Sequence, residues 1–185
     1  MKIERFGEEL SMLKKTRVIL PALVGAVLFF SCSYHLVREG RGSLPSGLTS
    51  ISVPLAENRT MEAGLEDMFT QELIKRLRAD GRVEVMAPGQ ADAELRCTLK
   101  SLNTWPVSYS PEGKIFAERV SLGAECALVI PESESVVWKS GSLSAAEEYG
   151  VSDDYLLNEE AKARALLEAA RDISEHVRST LLDPF

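Results

Sequence analysis

A catalytic reading of this chain has to begin with its two histidines. Nucleophilic catalysis by Ser or Cys needs an imidazole that a second group orients. His35 lies three residues after Cys32 in a polar, glycine-containing stretch, where no element holds it. His176 sits beside Val177 in a strongly charged helical run and reads as a solvated helix residue. The acidic pairs Glu147-Glu148, Asp153-Asp154 and Glu159-Glu160 are sequence neighbours. Neighbours do not converge on one bond as catalytic carboxylates must, so solvated faces explain them better. No glycine-rich loop has the spacing that cradles a phosphate. Three cysteines with two histidines offer little for zinc. The expectation is a protein that is not an enzyme and uses no cofactor and no metal.

One cysteine has another chemistry. Lys14, Lys15 and Arg17 precede residues 18–30, a stretch without charge that is interrupted by Pro21 and Gly25. It falls short of the ~20 residues that a membrane-spanning helix needs, and suits the apolar region of a signal peptide. It ends in Leu28-Phe29-Phe30-Ser31-Cys32, which resembles the lipobox of bacterial lipoproteins. There the cysteine is acylated and becomes N-terminal after cleavage. Phe29 stands where leucine is preferred, and Met12 offers an alternative start. Residues 1–31 are therefore read as a lipoprotein signal peptide, with Cys32 as the lipidation site. Several acyl chains give stable anchoring where one does not. Ser33 after the cysteine implies sorting to the outer membrane, on its periplasmic side. Cleavage would remove five basic and three acidic side chains and take the net charge from -7 to -9. An acidic domain argues against nucleic-acid binding, which needs a surplus of Lys and Arg.

A chain of 185 residues that is 45% hydrophobic and 26% charged can hold one globular domain with a real core. Gly40, Gly42, Pro45 and Gly47 mark residues 32–47 as a tether, leaving 48–185 as the domain. Ile51, Val53 and Leu55 alternate, which predicts a strand over 48–55. Thr60 is expected to cap a helix with the stripe Leu65, Phe69, Leu73 and Leu77, closed by Gly81. Residues 82–86 are a short strand candidate. Residues 93–102 and 119–130 both alternate, around a Tyr109-Ser110-Pro111-Glu112-Gly113 turn, and predict an antiparallel hairpin. Residues 135–144 return as another strand. A last helix begins between 152 and 158 and runs to about 182. Two amphipathic helices on one face of a mainly antiparallel sheet make a two-layer α+β sandwich.

A hairpin centred between Pro111 and Glu112 sets Cys97 opposite Cys126 on the apolar side. The periplasm permits a disulfide there, and two packed core thiols are the alternative.

Several stretches are similar to one family. Cys32-Ser33-Tyr34-His35-Leu36 resembles the mature start of LptE lipoproteins, with Ser33 replacing the usual glycine. Leu44-Pro45, Ile51-Ser52-Val53-Pro54 and Glu57-Asn58-Arg59-Thr60 resemble the segment before that family's first helix. The run from Asn158-Glu159-Glu160 through Ala170-Arg171-Asp172-Ile173 to Leu181-Leu182 resembles its last helix. The resemblance implies two helices on a four-stranded sheet. It also implies a domain that plugs and helps assemble the LptD β-barrel and aids lipopolysaccharide insertion into the outer leaflet. The alternative is a regulatory lipoprotein that activates a peptidoglycan synthase, since such proteins share the tether and a similar Val-Pro…Asn-x-Thr junction.

With that expectation, the sheet's polar face acquires a candidate ligand. Arg96 and Lys100 alternate with core residues of one strand, Arg119 projects from the next, and Lys139 joins from the last. Such a group can hold lipid A phosphates through charge-assisted hydrogen bonds. The competing reading is a solvated face in which Glu94 and Glu125 pair with these cations across strands.

Overall fold

In the computed structural model, Leu44 and residues 47–183 are described; the expected signal peptide and lipidation site, Cys32, lie outside them. The elements run β1 (Ser50–Ser52), β2 (Glu57–Asn58), α1 (Leu65–Asp80), β3 (Glu84–Met86), β4 (Ala93–Tyr109), β5 (Ile115–Ile130), β6 (Ser135–Gly150) and α2 (Tyr155–Leu182).

The first helix begins later than expected. Thr60 does not cap it: the N-cap is Gly64, which offers no side chain. Asn58 organises the preceding loop instead. Its Oδ1 accepts from the Thr60 N–H and hydroxyl, while its Nδ2 donates to the Glu62 carbonyl and to Glu66. An Asx turn thus outcompetes a cap, because the short Asn side chain reaches the backbone two residues on. At the far end Gly81 adopts φ 72° and donates its N–H to the Leu77 carbonyl, a conformation that glycine adopts without strain. Between them Leu65, Phe69, Leu73 and Leu77 are buried, each contributing about 1.5–3 kcal/mol.

The α+β class and the two layers hold and the long ladders are antiparallel, but the sheet is larger than four strands. It has six strands and is mixed: β3-β1-β4-β5-β6, with β2 also pairing β4. The strands β1, β2 and β3 join in parallel, and β4, β5 and β6 form an antiparallel meander. The segment β1-α1-β3 is a parallel crossover of the kind that needs a helix to return the chain. β1 and β3 fall within the expected strands over 48–55 and 82–86, whereas β2, at two residues, carries no alternation to read. The meander strands are also longer than their sequence patterns. β4 extends to Tyr109 and β6 to Gly150, well past residues 102 and 144. The 17 residues of β4 reach roughly 55 Å at ~3.3 Å each.

One face of this sheet is the core. Leu95, Cys97, Leu99, Val120, Leu122, Ala124, Cys126 and Leu128 are buried against apolar residues of both helices. α1 lies toward β2 and β3, and α2 over β5 and β6. The helices run parallel, tied along their seam by Lys162–Glu62, Arg171–Glu72 and Arg178–Asp80 at 2.6, 3.4 and 2.6 Å. Because Glu62 precedes α1, the first turns of α2 overhang its N-terminus. The far ends of β4, β5 and β6 and the start of α2 therefore project together as an arm.

Candidate functional site

The polar sheet face brings the four predicted cations onto one surface, though not into one cluster. Arg96 and Lys139 both flank Ala127, one from each side, two strand spacings or about 10 Å apart. They border one shallow groove with Thr98 and Glu125. Lys100 stands nearby at a bulge between Leu99 and Ser101. Arg119 is opposite Trp105, roughly 26 Å farther along β5 than Ala127 at ~3.3 Å per residue.

Most of this charge is already met. Arg96 donates through Nη1 and Nη2 to the two Glu134 oxygens at 2.8 and 3.1 Å, and through Nε to Glu94 at 3.0 Å. The hydrogen bonds from Arg96 hold the Glu134 carboxyl below its usual range. Glu134 grips Arg96 from the β5–β6 turn with φ 50°, a left-handed conformation uncommon for a residue with a Cβ. Lys100 reaches Glu125 at 2.8 Å, and Arg119 pairs with Glu148. These are cross-strand and turn partners on a half-exposed face, where solvent screens each pair. Among the described residues, Lys139 alone of the four makes no ion pair. An arriving phosphate would meet Lys139 free and would have to displace carboxylates from the other three.

Cys97 and Cys126 are opposite each other in the β4–β5 ladder and are joined by a disulfide, with Cα atoms 4.1 Å apart. The route to that register differs from a simple hairpin. The turn closes from Ser110 to Lys114, one residue longer than expected, and the Lys100 bulge restores the alignment below it.

Two features were invisible in the sequence. Asp92 accepts hydrogen bonds from the Thr49 N–H and hydroxyl and the Ser50 N–H, at 3.1, 3.0 and 3.0 Å. These donors, the Thr49 N–H first, hold its carboxyl at about 2 and staple β1 to the start of β4. The other feature is the arm tip. Tyr109, Phe116, Tyr155 and Leu156 are 60–71% exposed there, with Trp105, Val107, Ile115 and Leu157 beside them. The β4–β5 turn and the start of α2 also carry the exposed acids Glu112, Asp153, Asp154, Glu159 and Glu160. A clustered apolar end of this kind marks a contact surface rather than a chance exposure.

No group of three His, Cys, Asp or Glu side chains converges for a metal among the described residues. No described helix is long and apolar enough to cross a membrane.

The described domain is thus a two-layer α+β fold with a polar open sheet face, a disulfide in its core and an apolar projecting end. Solved structures share that architecture. A crystal structure of a Xanthomonas campestris protein superposes with a TM-score of 0.54 at 14% identity, covering 75% of this chain and 87% of that one. The solution structure of an uncharacterized lipoprotein B from Nitrosomonas europaea gives 0.51 at 11% identity, over 78% and 88%. The rare lipoprotein B from Shewanella oneidensis gives 0.49 at 14%, over 70% and 92%. At these identities the likeness is one of fold. No curated protein matches the sequence significantly. The family model for LptE, described as lipopolysaccharide-assembly, matches residues 48–181, and the chain belongs to that family. Membership implies an envelope lipoprotein.

Proposed function

We propose that this chain is an outer-membrane lipoprotein, acylated at Cys32, that plugs an LptD-type β-barrel and aids lipopolysaccharide insertion into the outer leaflet. The observation that carries this reading is the family match over 134 residues, nearly the whole folded domain. The surface supports it. A domain seated in a polar barrel lumen needs a hydrophilic exterior, and the open sheet face carries mainly paired charges and small polar residues. The exposed aromatic tip supplies anchors of the type that dominate protein interfaces. The tether, about 15 residues long, reaches at most ~50 Å, which keeps the domain at its membrane.

On the open face, Lys139 with Arg96 and Lys100 is the candidate for lipopolysaccharide phosphates, and Arg119 makes a separate contact beside Trp105. Charge reversal at Arg96 and Lys100 should weaken lipopolysaccharide binding in vitro without loss of fold. Unchanged binding at moderate salt would remove both from the reading.

The test of the whole is affinity purification of the intact lipoprotein from detergent-solubilised envelopes after crosslinking. A stable one-to-one complex with an outer-membrane barrel is expected. Recovery of a penicillin-binding protein and no barrel would favour a synthase activator, and a soluble, unlipidated mature form would overturn both.

A further inference from the structure

Among the described residues nothing pairs with the outer edge of β6, and the chemistry of that edge is self-complementary. β6 is the last strand of the described sheet, where it pairs with β5 and no other described strand. The Val151 N–H donates to the Phe116 carbonyl at 2.9 Å, which sets the phase of the ladder. In an antiparallel pair every second residue turns both backbone groups away from its neighbour. In β6 those residues are Ser142, Ser144, Ala146 and Glu148.

Native sheets defend such edges with prolines, bulges and charges. The β4 edge has Pro106 and bulges around it. The lower half of β6 has Lys139 and a register shift at Gly141, whose φ of 70° bends the strand. Residues 142–146, Ser-Leu-Ser-Ala-Ala, have none of these. Their side chains are small enough for another backbone to approach closely. A groove runs along this stretch, bordered on the helical side by Asp172, Ile173 and His176 of α2. Neither Asp172 nor His176 makes an ion pair among the described residues.

We infer that a second copy of this chain adds antiparallel to the β6 edge, making one continuous sheet across a two-fold axis at Ser144. Antiparallel pairing requires outward-facing residues to meet outward-facing residues. The axis at Ser144 satisfies this by setting Ser142 opposite Ala146. The same axis passes the middle of the α2 stretch that borders the groove. Asp172 of each copy then comes abreast of His176 of the other, twice over, so an acid meets a base at both ends of the contact. A closed two-fold contact uses one patch on both copies, as isologous dimers do. This dimer is a state of the free lipoprotein, distinct from a one-to-one complex with a barrel and independent of that reading.

The experiment uses the full-length lipoprotein in mild detergent. Sedimentation should return twice the protein mass. A Ser144→Cys variant treated with a short bismaleimide should crosslink to a dimer in high yield, whereas Glu112→Cys at the arm tip should not. His176→Asp sets like charges together and should weaken the dimer by about tenfold. The charge swap Asp172→His with His176→Asp should restore it. A monomer at micromolar concentration without crosslinking at Ser144 would overturn the inference. So would a dimer that crosslinks at Glu112 and ignores the swap.

Discussion

At the scale of single residues, one buried hydroxyl and two acids lend themselves to measurement. The Ser174 hydroxyl is fully buried on α2 and has no hydrogen-bond partner. A buried polar group without a partner carries its desolvation cost, so Ser174→Ala should stabilise the fold by about 1 kcal/mol, read as a raised Tm. Asp92 is the opposite case, an acid surrounded by donors. Its carboxyl sits at about 2, below the ordinary 3.8, so its contribution is full above pH 4 and is lost as the pH falls toward 2. Asp80, held near 2 chiefly by the Arg82 hydrogen bond, behaves alike. Acid unfolding between pH 4 and 2 is expected, and Asp92→Asn should flatten its pH dependence. A denaturation series across that range checks both.

At the scale of elements, the question is what fastens helices and strands to one another. Asp80 closes α1 and receives Arg82 at 2.5 Å and Arg178 of α2 at 2.6 Å, while Arg82 also donates to the Leu182 carbonyl at 2.9 Å. One carboxylate thus ties both helix ends, with 8% of its side chain exposed. Asp80→Asn leaves two half-buried guanidiniums short of a partner and should cost about 2 kcal/mol in chemical denaturation. The disulfide fastens β4 to β5 across a loop of 29 residues. Constraining the unfolded chain at that loop size is worth about 3.5 kcal/mol, so Cys97→Ala with Cys126→Ala should lower stability by that amount. A reductant should reproduce the loss in the native chain and leave the double variant unchanged.

At the scale of the molecule, the arm separates binding from stability. Its tip residues contribute little to the core, so Phe116→Ser with Leu156→Ser should leave Tm within a degree or two of the parent. If the tip anchors a barrel partner, the same pair should reduce recovery of that partner by an order of magnitude or more. Loss of Tm together with partner recovery would instead mark the tip as structural.

What could be read from the residues alone follows from periodicity and local chemistry. The stripe Leu65, Phe69, Leu73 and Leu77 and the alternation around Cys97 and Cys126 each repeat at the period of one element, so the helices, the long strands and the core face were legible. The family, too, was legible in short motifs spread along the chain in order. Three things needed the tertiary structure. The two residues of β2 have no period, and only pairing with β4 makes them a strand, just as the parallel pairings of β1 with β3 and β4 could not be read locally. The cations at Arg96, Lys100 and Arg119 were visible as charges, but whether each was free depended on carboxylates brought alongside by register and by a left-handed turn at Glu134. Exposure of the arm followed from where α1 begins and the strands end. Charge and hydropathy are properties of a residue, whereas pairing and exposure are properties of its neighbours, and those neighbours are set by long-range contacts that no local pattern encodes.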